Sequence, residues 1–167
     1  LCHWVDCVPR EDAACEKAWR TLEAGIRMAV WSKAIGYFKG SPALTADVLE
    51  RYLSSMTAHA EYIMSVWNSY HLMSSQGVMA SHGLFAAGCA LPPSERTGEY
   101  QREAVRRLYQ EMKMQVYPDG MQWEQSPMYH NQVLRCCLDV VLRAQRAGFA
   151  LPRGFEETVF RMARASL

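Results

Sequence analysis

Apolar residues along this chain recur three and four apart over most of its length, and no stretch alternates convincingly with period two. Between Ala13 and Phe38 the repeat is carried by Ala18, Leu22, Ile26, Ala29, Val30 and Ile35, which predicts one long helix. Gly40-Ser41-Pro42 ends it, since glycine suits a C-terminal cap and proline cannot continue. Thr45 offers an N-cap for a second helix reaching about Trp67. A third, about Gln76–Ala90, is apolar and rich in small residues, the composition of a helix buried on several sides. Leu91-Pro92-Pro93-Ser94 breaks the chain before a fourth helix, about Glu99–Val116. There Val105, Leu108, Tyr109 and Met112 form the apolar stripe, and Arg102, Glu103, Arg106 and Arg107 are assigned to water. A fifth helix takes in Val133, Leu134, Cys137, Leu138 and Val141 and stops before Gly148, and a sixth starts near Phe155. Helices joined by short Pro/Gly loops predict an all-α stack of antiparallel hairpins.

Composition narrows the function classes. At 167 residues the chain suits one domain with a genuine core. A formal net charge of +1 gives no global field, which argues against a strongly basic nucleic-acid binder. No apolar run approaches the ~18 residues of a membrane span, and the N-terminus LCHWVDCVPRED lacks a signal-peptide pattern. With no initiator Met and a C-terminus running out in MARASL, both ends are expected to be cuts through a longer protein. Of six cysteines, adjacent Cys136 and Cys137 read as small buried residues on a helix. Cys2, His3, Cys7 and Cys15 lack the CxxC spacing of a zinc site, so no metal is expected.

Candidate chemistry concentrates in YPDGMQWEQSPMYH, residues 117–130. Pro118 presets φ and Asp119-Gly120 complete a turn. Ser126 at an N-cap with Pro127 at the first helical position marks a helix start, which puts Tyr129 third and His130 fourth in the helix. The first-turn field favours negative charge, so a phenol there is expected to ionise more readily than in water and to suit proton transfer. Glu124, just before the helix, is placed to orient His130 or a substrate hydroxyl. The same residues also read as a plain turn and capped helix. A second polar cluster, Asn68, His71, Ser75 and Gln76, lies near a helix start and also reads as a polar loop with an N-cap. His82, inside the apolar third helix, reads as a satisfied core histidine. No GxSxG, HExxH, phosphate loop or calcium loop occurs.

QVYPDGMQWEQSPMYH (115–130), AWRTLEAGIRMAVW (18–31) and SSQGVMASHGLFAAGCALP (74–92) together resemble the heparinase II/III-like polysaccharide lyases. The first is similar to that family's PDG…E-x-SP-x-YH block, the second to its early W-R-x-LE-x-G-x-R helix, and the third to the helix following its S-N-W segment. The resemblance implies an incomplete α/α toroid, part of a catalytic domain over residues 1–167 whose C-terminal β-sandwich portion lies outside this chain. It implies β-elimination of an anionic uronate polysaccharide of the heparan sulfate, hyaluronan or alginate class, a periplasmic or secreted location, and no cofactor in this segment. A side chain neutralises the uronate carboxylate, a base removes the C5 proton and the C4–O bond breaks, so developing negative charge must be stabilised.

By motif, Tyr129 takes the place of the family's catalytic tyrosine, as base or as acid toward the leaving oxygen. His130 and Glu124 fall on motif positions assigned to substrate contact or site support, and Arg27 on an arginine that meets the anionic sugar or holds the fold. The sequence departs from the family at the neutraliser. The family's Asn or His falls on Ser75, and its following Trp on Gln76. A serine hydroxyl is shorter than an amide, which leaves three outcomes open: Gln76, Asn68 or His71 substitutes, the register slips, or activity is weakened. The family's further catalytic histidine has no match here. A non-catalytic carbohydrate-binding relative and an all-α interaction module are the alternatives to a lyase.

Overall fold

The computed structural model describes residues 2–166, and helices dominate it as the periodicity predicts. They are α1 (Cys2–Cys7), a 3-10 helix (Ala13–Trp19), α2 (Thr21–Tyr37), α3 (Ala46–Ser65), α4 (Ser69–Leu72), α5 (Ser75–Ala90), α6 (Glu95–Gln115), α7 (Pro127–Ala147) and α8 (Phe155–Ala165). Among the described residues the only β pairing is one antiparallel bridge between Val116 and Gln122. No described helix is long and apolar enough to cross a membrane.

The punctuation signals hold. Thr45 Oγ1 accepts from Val48 N–H at 3.3 Å and starts α3, and Gly148 closes α7 in the left-handed conformation. Ser94 and Thr97 form a reciprocal capping box, which starts α6 at Glu95, one turn earlier than the apolar stripe alone suggested. The expected first helix is instead broken at Arg20, whose ψ of 151° separates the 3-10 segment from α2.

α5 forms the centre, buried on nearly every side and packed against α2, α6 and α7, with α3 and α4 at its flanks. Small residues make this possible. A Cβ added to Gly83 would overlap the backbone of Gly25, so α2 and α5 cross at a distance only glycine permits. This crossing also corrects the expected stripe of α2. The buried face is Ala24, Gly25, Met28 and Ala29, while Ile26 and Val30 lie outside, 44% and 55% exposed.

A second correction concerns Arg107, assigned to water but buried. Its guanidinium donates to Ile63 O at 2.9 Å and Met64 O at 3.2 Å, and to Glu103 at 2.7 Å. The last carbonyls of α3 thus find a charged donor that an exposed residue could not supply. Leu138, expected in the stripe of α7, is also exposed, whereas Cys136 and Cys137 are buried and free. His82 is the satisfied histidine expected, with Nε2 donating to Asp139 at 2.7 Å.

Candidate functional site

The segment between α6 and α7 folds as a tight hairpin. Gly120 N–H donates to Tyr117 O at 2.9 Å, closing the Tyr117–Gly120 turn, and Trp123 N–H donates to Gln115 O at 2.7 Å across its base. Gly120 has φ of 99°, and a Cβ there would run into the Arg161 backbone, so the turn needs glycine both for its conformation and for its contact with α8.

A line of two amides and one carboxylate ties this hairpin to the start of α5. Gln115 is buried, and its Nε2 donates to Leu72 O at 2.8 Å and Ser74 O at 3.1 Å. Its Oε1 accepts from Gln122 Nε2 at 3.3 Å, and Gln122 Oε1 accepts from Glu124 N–H at 3.0 Å. Glu124 then accepts from Ser75 N–H at 2.8 Å and from the Ser75 hydroxyl at 3.2 Å. Ser74 caps the same helix, accepting from Gln76 N–H at 3.1 Å. The carboxylate therefore sits at the N-terminus of α5, where free N–H groups and the helix field favour an anion.

His130 holds the other side. Its Nδ1 accepts from Gln122 N–H at 3.2 Å, which leaves Nε2 carrying the proton, facing Met162 O at 3.0 Å and Ser166 Oγ at 2.9 Å. The ring is 2% exposed with both nitrogens occupied, so it does not reach solvent to contact a sugar. Its bonds pin the hairpin and α7 to α8, because the first-turn position turns inward onto that helix. Tyr129, one residue earlier, turns outward and is 41% exposed at the head of α7. Pro127 occupies the first turn as expected, but Ser126 makes no side-chain cap bond, so the helix start has no capping oxygen of its own.

The remaining candidates fall in three places. Ser75 is bonded to Glu124 and 4% exposed, so its hydroxyl is already directed at a protein carboxylate and is poorly placed to meet a uronate. Gln76, the next residue, is half-buried. Asn68 and His71 form the capping box of α4. Asn68 Oδ1 accepts from Tyr70 N–H at 3.0 Å, and His71 Nε2 faces the Thr21 hydroxyl at 3.0 Å. Burial first, then the charge of Arg107, lowers the His71 pKa and favours the neutral ring. In this arrangement His71 braces α4 against the start of α2, and only Asn68 of the pair is exposed.

Arg27 is not brought to this cluster. Its guanidinium carbon lies 4.0 Å above the Trp4 ring, its Nε donates to His59 Nε2 at 2.9 Å, and its terminal nitrogen donates to Ala18 O at 2.7 Å. Burial lowers its pKa to about 10 and that of His59 to about 4. These contacts tie α1 and the 3-10 helix to α2 and α3 through Arg27. At the N-terminus, Cys7 Sγ lies 3.6 Å from His3 Nδ1, and among the described residues no three His, Cys, Asp or Glu gather as metal ligands.

Sequence reasoning passed over Gln115, Gln122 and Thr21. The signal for the glutamines was present: they flank YPDG on opposite arms of a predicted turn, where side chains pair across a hairpin.

A heparin-sulfate lyase of Pedobacter heparinus is 30% identical over 152 residues, covering 88% of this chain and 22% of the relative. A heparin-sulfate lyase of Bacteroides stercoris is 25% identical over 149 residues, covering 87% and 22%. The chain thus spans about 22% of the length of these curated relatives. Among solved structures, the heparan sulfate lyase HepC from Pedobacter heparinus superposes with a TM-score of 0.79 at 26% identity, covering 98% of this chain and 26% of that one. A heparinase III crystal structure matches with a TM-score of 0.83 at 19% identity, covering 97% and 25%, a likeness of fold. The all-α architecture is accordingly the expected incomplete α/α toroid of helical hairpins. The family model for the heparinase II/III N-terminus matches residues 1–167, and the chain belongs to that family.

Proposed function

We propose that this chain forms part of the catalytic domain of a polysaccharide lyase that cleaves a heparan sulfate-like uronate polysaccharide by β-elimination, with Tyr129 as the proton-transfer residue. The observation that carries this reading is the contrast within one helical turn. His130 is buried and fully bonded, while Tyr129 is held beside it with its ring open to solvent. A phenol fixed on a rigid helix start can remove the C5 proton or protonate the leaving oxygen without reorganising its support. Glu124 acts by position, fastening the start of α5 so that Gln76 stands at a fixed place. Gln76, with an amide that no described side chain engages, takes the neutraliser's part in place of Ser75, pairing with the uronate carboxylate as the C5 carbanion develops.

The test is incubation of the intact protein carrying this chain with heparan sulfate, hyaluronan and alginate, following ultraviolet absorbance of the unsaturated product. Formation of that product from heparan sulfate is expected, and none from any of the three would overturn the reading. A carbohydrate-binding protein without turnover is the second reading. It is favoured by one observation, the Ser75 hydroxyl already bonded to Glu124 in the neutraliser slot. Binding of heparan sulfate with no product would select it. The protein is expected to act in the periplasm or outside the cell, with a further β-sandwich portion completing the cleft.

A further inference from the structure

Three of the six cysteines fall within the first fifteen residues, and the fold brings two of them together as free thiols. Cys7 ends α1, and Cys15 sits in the 3-10 helix that follows. Two hydrogen-bonded turns fold the chain back between them. Asp12 N–H donates to Pro9 O at 3.4 Å, and Cys15 N–H donates to Asp12 O at 2.9 Å. Trp19 Nε1 donates to Val8 O at 3.0 Å, which fastens the end of α1 to the end of the 3-10 helix. Cys15 Sγ consequently lies 3.9 Å from Cys7 O. A carbonyl oxygen stands about 2.4 Å from its own Cα, so Cys15 Sγ is at most about 6.3 Å from Cys7 Cα. The two side chains can close that gap by turning toward each other.

The other thiols are differently placed. Cys136 and Cys137 are buried in the core, and Cys89 accepts from Gln101 Nε2 at 3.6 Å. Cys2 is five positions before Cys7 on α1, hence on another face of that helix. His3, four positions before Cys7, shares its face, and its Nδ1 lies 3.6 Å from Cys7 Sγ. An imidazole so placed can take the thiol proton and leave the nucleophilic thiolate. Cys7 is exposed, whereas partial burial, then the charges of Asp12 and Cys7, raise the Cys15 pKa. The first attack on an oxidant therefore belongs to Cys7, and the second step to Cys15.

We propose that Cys7 and Cys15 form a disulfide that clasps α1 to the 3-10 helix. The Cys7 thiolate attacks one sulfur of an external disulfide, on a small molecule or a thiol oxidase, forming a mixed disulfide and releasing one thiolate. Cys15 then loses its proton, attacks the Cys7 sulfur and releases the second thiolate. The released thiolates take up the two protons that the cysteines gave up, so the external disulfide is reduced as the protein pair is oxidised. Oxidising surroundings outside the cytoplasm favour the bond. α1 also meets the rest of the fold through the exposed Asp6–Arg51 ion pair at 2.7 Å and through Trp4 against Arg27. An exposed ion pair contributes little, so closing this short loop covalently gives α1 a firmer hold. The bond joins two groups of this chain and is independent of the lyase reading.

Trypsin cleavage after Arg10 makes the bond readable, because it falls between the two cysteines. The intact protein carrying this chain is incubated with oxidised glutathione, its remaining thiols are alkylated, and it is digested without reductant for mass spectrometry. The peptide ending at Arg10 is expected to stay joined to Glu11–Lys17, and dithiothreitol should separate the two. Cys2→Ser should keep the joined pair, and Cys7→Ser should abolish it. Alkyl groups or separate glutathione adducts on both Cys7 and Cys15 of the wild-type protein would overturn the proposal. A joined pair that persists in Cys7→Ser would assign the bond to Cys2 and overturn it as well. So would a link confined to covalent dimers.

Discussion

Glu124 and Glu111 each reach a serine of α5, and their surroundings differ in one respect that decides what each does. Glu124 meets Ser75 at the first turn of that helix, where a backbone N–H and a hydroxyl satisfy both carboxylate oxygens. Glu111 meets Ser81 mid-helix at 3.1 Å, and its other oxygen is buried with no partner. Burial raises the Glu111 carboxyl from its ordinary 4.5 to about 8, against the pull of Ser81 and of Arg107 and Arg106. The same pair of residue types thus makes a satisfied clamp at a helix N-terminus and a strained, proton-holding contact in the core. The clamp frames the candidate site, and the core contact lies outside it.

The largest effect on stability is expected at Glu111. Its folded-state pKa lies above the unfolded one, so its contribution is fully present below about 4.5 and is lost as pH rises through about 8. Urea denaturation of Glu111→Gln should therefore match wild type near pH 4.5 and exceed it at pH 9 by a margin on the order of 2–4 kcal/mol. A constant difference between the two proteins across that range would contradict the buried-acid account. Glu124→Ala should cost about 1–3 kcal/mol, the penalty of leaving the Ser75 N–H and hydroxyl without an acceptor, and should lower turnover along with it. Unchanged stability would show that the clamp does not hold α5. Arg27→Lys should have the smallest effect, about 1 kcal/mol from lost stacking on Trp4 and lost forked donation, with turnover per folded molecule unchanged. A selective loss of substrate affinity in that variant would return Arg27 to the sugar.

The sequence made the helices legible because their boundaries are written in residues that act locally. Thr45, Ser94, Pro127 and Gly148 each do what their backbone preferences dictate. The faces were less legible. Val30 fits an apolar stripe as well as Met28 does, and only the Gly25–Gly83 contact, a matter of two helices rather than one, selects the buried side. Arg107 shows the same limit, since its acceptors are carbonyls 44 and 43 residues away. In the site, the turn and the placement of Tyr129 and His130 could be read from YPDG and SPMYH. That one of these neighbours faces solvent and the other is enclosed could not, because α8 supplies Met162 O and Ser166 from outside the motif. The Glu124–Ser75 contact bridges 49 residues and was equally out of reach of local pattern.

The central claim is that Tyr129 moves the proton. It is tested by turnover and binding of heparan sulfate in the intact protein carrying Tyr129→Phe, which removes one hydroxyl from an exposed ring and leaves the Glu124, Gln122 and His130 contacts in place. Product formation should fall by a factor on the order of 10²–10⁴ while affinity for the polysaccharide and the thermal midpoint stay at wild-type values. Wild-type turnover in that variant would contradict the account.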